Sequence, residues 1–127
     1  MVVVDTSVWV TVLSSRGAPE AASLTALVDT DEVIVPVLVR IELLAGCPSK
    51  DRRDLRHRLA ALTAAYPDDD TWELADQWLD RASAAGLRFG VGDLLIAALA
   101  AERGALVWSL DRDFERMEKL GLVKLYA

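Results

Sequence analysis

A chain of 127 residues, 53% of them hydrophobic, is the size of one domain and can bury a core without disulfide staples. The lone cysteine, Cys47, excludes an internal disulfide and a cysteine zinc cluster, and points to a reducing interior. A net charge of −6 is wrong for the basic surface that phosphate contact usually demands, unless several acids are gathered around a divalent cation.

The opening Met-Val-Val-Val-Asp5 lacks the basic start of a signal peptide. No apolar run approaches the ~20 residues that cross a membrane. The expectation is a soluble, cytoplasmic protein forming a single domain over 1–127. Val2-Val3-Val4 reads as a buried strand, and Asp5, Thr6 or Ser7 can cap the segment that follows. Residues 8–13 are expected to be helical, although their valines favour strand. Gly17-Ala18-Pro19 breaks the chain, and Pro19 opens a second helix to about Val28.

Val33 to Pro36 is a second strand. A helix from Val37 to Ala45 follows, ended by Gly46. Ser49 can cap a fourth helix with Leu55, Leu59 and Leu62 as its apolar stripe. Asp70 can cap a fifth, with Trp72, Ala75, Leu79 and Ala82 on one face, closed by Gly86. Gly90-Val91-Gly92-Asp93 leads into an almost wholly apolar helix from Leu94 to about Arg103, which belongs at the centre of the fold. Ala105 to Ser109 is a third strand, 111–119 a short helix, and 122–126 a terminal strand. Short apolar strands alternating with helices give an α/β fold, a three-layer α/β/α sandwich with a short, mostly parallel central sheet.

Ligands of such sheets bind beyond the carboxyl ends of the strands. Asp5 follows the first strand, and Asp111 and Asp113 follow the third. Glu42 lies on the helix after the second strand, and Asp93 at the start of the apolar helix. Each aspartate alone can be a helix cap, a role that contributes about 1 kcal/mol. Glu42 interrupts the apolar segment 39–44 and is the hardest to explain by packing, because a buried unpaired carboxylate is costly. Together the acids point to one pocket. Clustered carboxylates repel, and a divalent cation relieves this; all-oxygen donors suit Mg²⁺ or Mn²⁺.

Four segments in order carry a resemblance: Val-Val-Val-Asp5-Thr6-Ser7, Arg40-Ile-Glu42-Leu-Leu, Gly92-Asp93-Leu-Leu-Ile-Ala-Ala and Ser109-Leu-Asp111-Arg-Asp113-Phe114. The chain resembles the PIN-domain ribonucleases, most closely the VapC-type toxins of bacterial toxin–antitoxin pairs. The resemblance implies a PIN-like fold and endonucleolytic cleavage of RNA with one or two Mg²⁺ or Mn²⁺ ions. It also implies frequent homodimers and inhibition by a cognate antitoxin. By the same resemblance Asp5, Glu42, Asp93 and Asp111 match metal-binding acids, and Asp113 a further acid of the site. Thr6 or Ser7, and Ser109, match hydroxyls beside the metal, although threonine is usual where Ser109 stands. Asp5 and Asp93 are then expected to hold the principal ion, with Glu42 and Asp111 completing it or supporting a second. Whether Asp111 or Asp113 faces the ion stays open.

Arg40, Arg88 and Arg112 flank the acidic segments and are candidates for RNA phosphate contact or for carboxylate pairing. The denser basic stretch around Arg52, Arg53, Arg56, His57 and Arg58 reads equally as a solvated helix face. Trp9 and Val12, with Leu24 and Leu27, are either core or a groove for an antitoxin segment. Two other classes fit an acidic pocket on an α/β sheet. One is a two-metal nuclease of RNase H-like type, which the short strands and Glu42 fit less well. The other is a phosphoacceptor regulatory domain, for which Lys50, Lys119 and Lys124 are poorly placed.

Overall fold

The computed structural model describes residues 1–126; Ala127 lies outside the described residues. Four strands form one parallel sheet: β1 (Val2–Val4), β2 (Val33–Pro36), β3 (Thr63–Ala65) and β4 (Leu106–Trp108), in the order β3-β2-β1-β4. Val2 pairs with Val33 on one side of β1 and with Leu106 on the other. Parallel neighbours need crossover connections, and helices supply them: α1 (Thr6–Ser14) and α2 (Glu20–Asp29) between β1 and β2, α3 (Val37–Gly46) and α4 (Arg52–Ala60) between β2 and β3, α5 (Asp69–Ala84) and α6 (Val91–Glu102) between β3 and β4. α7 (Arg112–Lys119) follows β4. Side chains alternate across a strand, and all three residues of β1 are buried. Both faces of the sheet are therefore covered, which makes the predicted α/β/α sandwich.

The chain winds outward from β1 to β2 and β3, then returns to place β4 on the other side of β1. The strand order reverses between β1 and β4, and beyond their carboxyl ends is where a sheet of this topology takes a ligand. α6 lies beside these strands. All seven residues from Leu94 to Ala100 are buried, and the helix packs against β1 and β4 with α5 along it. Its alanines let these elements approach closely, and Leu99, fully enclosed, would cost about 2–5 kcal/mol if cut back to alanine.

Several elements depart from the sequence reading. α1 is a helix despite its valines, because packing Val8 and Trp9 into the core outweighs local propensity. β3 was not anticipated: Thr-Ala-Ala has no strand signature, and its pairing with β2 makes it a strand at the sheet edge. The N-cap of α4 is Asp51 rather than Ser49. The cap of α5 is Asp68, not Asp70. Asp68 accepts from the Thr71 backbone N–H at 3.0 Å, and Thr71 Oγ1 accepts from the Asp68 N–H at 3.1 Å. The Thr71 N–H, and then the Thr71 hydroxyl, hold the Asp68 carboxyl below its usual range. Along α5, Thr71, Ala75, Trp78 and Ala82 face the core, while Trp72 and Leu79 are about half exposed. The expected terminal strand is reduced to one parallel bridge, Val107 to Leu125, held by the Val107 N–H on Lys124 O and the Tyr126 N–H on Val107 O.

Candidate active site

Asp5 stands at the end of β1, where its backbone N–H still donates to Trp108 O at 2.9 Å. It occupies the N-cap position of α1, yet its side chain makes no cap bond. Its carboxylate is turned to β4 instead. Ser7 Oγ and Ser109 Oγ both donate to Asp5 Oδ2, at 2.8 and 2.7 Å. Each serine has one proton to give, so the 3.3 Å approach of their oxygens is a contact rather than a further bond. The same oxygens accept from the backbone: Leu110 N–H donates to Ser7 and Asp111 N–H to Ser109, both at 3.0 Å. One network thus locks Asp5, the most enclosed acid of the set at 6% exposure, to the loop that carries Asp111. The Thr6 hydroxyl is buried with no hydrogen-bond partner and stands outside this network.

Across the crevice, Asp93 is the third residue of α6 and Asp113 the second of α7, while Asp111 is the N-cap of α7. One carboxylate oxygen from each of Asp93, Asp111 and Asp113 lies within 4.8 Å of the others. Asp111 serves the helix as well, accepting from the Asp113 N–H at 2.9 Å. Asp113 accepts from Arg116 at 2.8 Å. The carboxylates of both Asp111 and Asp113 reach this group of acids. Arg116 was not anticipated as a neighbour of the site; its signal was the i, i+3 spacing from Asp113 on a short helix.

Asp93 registers the crowding. Its pKa is raised from 3.8 to about 6, first by burial and then by the negative charges of Asp5, Asp111, Asp113 and Glu42. A helix N-terminus favours a carboxylate. Desolvation and four like charges outweigh it here, so the protein maintains an acid where charge is unwelcome. Such a group is more often kept for a ligand than for stability. Three converging carboxylates with a repelled member are the donor set that a hard divalent cation fits.

Glu42 differs from its expectation. It is exposed, not buried among the apolar residues around it, because residues 41 and 42 lie on the outer side of α3 while Val39, Leu43 and Leu44 face inward. It stands outside the 4.8 Å trio, as Asp5 does, though the charges of both act on Asp93. Glu42 borders an apolar groove of about 450 Å³ with Val10, Leu13 and Leu55. Trp9, Leu24 and Leu27 are core residues, so the exposed apolar strip of α1 is Val10 and Leu13 instead. Of the candidate arginines, Arg88 and Arg112 are exposed; Arg40 is half-buried, with its Nε–H enclosed and without a partner. Arg112 adjoins the trio in sequence and has no ion pair among the described residues.

Beyond the carboxyl ends of β1 and β4, this four-stranded parallel sheet carries a group of acids that could hold a metal ion. Residues 2–120 match the PIN domain family, and the chain belongs to it. Solved structures agree in fold. A chain of VapBC2 from Rickettsia felis bound to a DNA fragment from their promoter superposes with a TM-score of 0.81 at 17% identity, covering 99% of this chain and 98% of that one. VapBC-5 from Mycobacterium tuberculosis, of the VapBC family of toxin–antitoxin systems, gives 0.70 at 25% identity, covering 97% and 94%. Mycobacterium tuberculosis VapC20, a sarcin–ricin-loop-cleaving toxin, gives 0.65 at 19% identity, covering 91% and 94%. Among the described residues no helix is long and apolar enough to cross a membrane.

Proposed function

We propose that this chain, as one domain, is a divalent-metal-dependent endoribonuclease, the toxin of a toxin–antitoxin pair. The observation that carries the reading is the convergence of Asp93, Asp111 and Asp113 within 4.8 Å at the switch point of a PIN-family sheet, beside the buried Asp5. Asp93, Asp111 and Asp113 would hold Mg²⁺ or Mn²⁺, with Asp5 behind them and Glu42 at the rim. A bound cation there supplies charge neutralisation and polarisation of the scissile phosphate. The chain's own part is positioning. Ser7 and Ser109 fix Asp5 and the loop before α7 as one unit, so the acids cannot swing apart as the crevice fills. Arg112, between Asp111 and Asp113 in sequence and without an ion pair among the described residues, would meet a phosphate oxygen, with Arg88 and Arg40 as further phosphate contacts.

On this reading the chain works in the cytoplasm and is silenced by a cognate antitoxin. The VapBC neighbours support that partner, and by its resemblance to the family the chain would also form a homodimer. The test is incubation of the purified chain with total RNA in Mg²⁺, Mn²⁺ or EDTA, followed by mapping of the new ends. Cleavage in either metal and not in EDTA, with no 2′,3′-cyclic phosphate, supports water-driven hydrolysis at the acidic site. Cleavage that persists in EDTA, or cyclic-phosphate ends, assigns the chemistry to the RNA 2′-hydroxyl and refutes the reading.

A further inference from the structure

On the far flank of α3 from Glu42 the charge reverses. Arg40 and Glu42 are two residues apart, so they leave the helix roughly 200° apart and only about 3 Å apart along its axis. Arg40 faces an open cleft of about 790 Å³ whose other walls are Lys50, Arg53, Arg56 and His57, with Asp54 the one acid in the lining. Asp54 is occupied by Arg58 at 3.1 Å, which leaves the four cations of the cleft without a carboxylate partner among the described residues. The chain is acidic overall, yet four of its 14 lysines and arginines meet here.

The Arg40 Nε–H sharpens the point. It is enclosed and unbonded, so only a shift of the Arg40 side chain into the cleft would give it an acceptor there. A guanidinium beside a lysine and a further arginine pair carries charge that suits a phosphodiester backbone better than a single carboxylate. Single-stranded nucleic acid is held by such positive grooves along its backbone.

We infer that the α3–α4 cleft formed by Arg40, Lys50, Arg53, Arg56 and His57 is an RNA backbone-binding site that holds substrate phosphates away from the scissile bond. The cleft would also resolve the conflict between an acidic protein and a polyanionic substrate, since the favourable charge is concentrated in one patch. The inference rests on the endoribonuclease reading but is separable from it.

The test measures binding of a labelled 20-nucleotide single-stranded RNA to the full chain in EDTA across a salt series. The comparison is the triple variant Lys50→Gln, Arg53→Gln, Arg56→Gln; all three residues are exposed, and circular dichroism verifies folding. A control triple, Arg16→Gln, Lys119→Gln, Lys124→Gln, carries the same net charge. Each lost phosphate contact flattens the salt slope by about 0.7 on a single strand, so the cleft triple is expected to flatten it by about 2 and to weaken binding at least ~10-fold at low salt. The control is expected to do much less. Equal losses in both triples, or no loss in the cleft triple, overturn the inference. So does a cleft triple that changes self-association in sedimentation while binding RNA normally, since the cleft is then a protein interface. An unmutated chain that binds RNA through the cleft but does not cleave it with Mg²⁺ refutes the endoribonuclease reading alone; one that cleaves RNA while the cleft triple binds like the parent refutes the cleft alone.

Discussion

Replacing Asp93 by asparagine keeps the shape of the side chain and removes one negative charge from the crevice. The carboxyl titrates at about 6 in the folded protein, against 3.8 for the free group. Below pH 3.8 neither state is ionised and the group is neutral toward stability. Between 3.8 and about 6 the unfolded chain releases the proton while the folded one retains it, so stability falls as pH rises. Above about 6 the full penalty applies. At face value that gap is worth about 3 kcal/mol, and roughly half after solvent screening of a partly exposed group. Metal-free Asp93→Asn should therefore be more stable than the parent by ~1–2 kcal/mol at pH 8, about 5 °C in Tm for a chain of this size. The gain should shrink toward pH 4. Excess Mg²⁺ should reverse the order, because a ligand at 100 times its Kd adds about 2.7 kcal/mol to the parent and little to the variant. Thermal unfolding in EDTA and in Mg²⁺, at pH 5 and 8, reads all of this. A variant that melts below its parent at pH 8 in EDTA would show that Asp93 is a structural carboxylate and refute the reasoning.

Ser109→Ala removes one of two hydroxyls from Asp5 and the acceptor for the Asp111 N–H. It should cost about 1–3 kcal/mol in denaturant unfolding and lower cleavage at least ~10-fold, with Ser109→Thr restoring most of both; an active, fully stable alanine variant contradicts the network. Arg116→Ala breaks an exposed pair with Asp113 and should cost under about 1 kcal/mol in EDTA. Because it exposes Asp113 to the cation, it should also tighten Mn²⁺ binding in calorimetry; weaker binding would count against Asp113 as a donor. Asp68→Ala removes the cap of α5 and should cost about 1 kcal/mol, whereas Asp70→Ala should be nearly neutral; comparable losses would contradict the cap assignment.

The apolar runs carried the fold. Val2–Val4, Val33–Pro36 and the segment from Leu94 to Ala100 are buried on all sides, and continuous apolar sequence is what such positions require. β3 escaped because the edge position of Thr63 and Ala64 asks little of the side chains, and pairing with β2 alone makes it a strand. The face of α5 was misread because the large apolar Trp72 and Leu79 suggest the stripe, while the buried stripe runs through Thr71, Ala75, Trp78 and Ala82 one position away. For the site, strand ends foretold where Asp5, Asp111 and Asp113 gather, since backbone topology alone decides it. Glu42 was inferred to be buried from its neighbours in sequence, but helical periodicity puts residues 41 and 42 outside. The bond from Ser109 to Asp5 spans more than a hundred residues, and the pairing of β1 with β4 brings the two together.

The most direct test of the acidic crevice as an RNA-cleaving metal site is the rate of RNA cleavage against Mg²⁺ concentration for the parent and Asp93→Asn, at equal folded fraction. The account predicts a saturable, metal-dependent rate in the parent and a loss of at least ~100-fold in a variant that is as stable as the parent or more so. Undiminished cleavage by Asp93→Asn at the same Mg²⁺ concentration would contradict it.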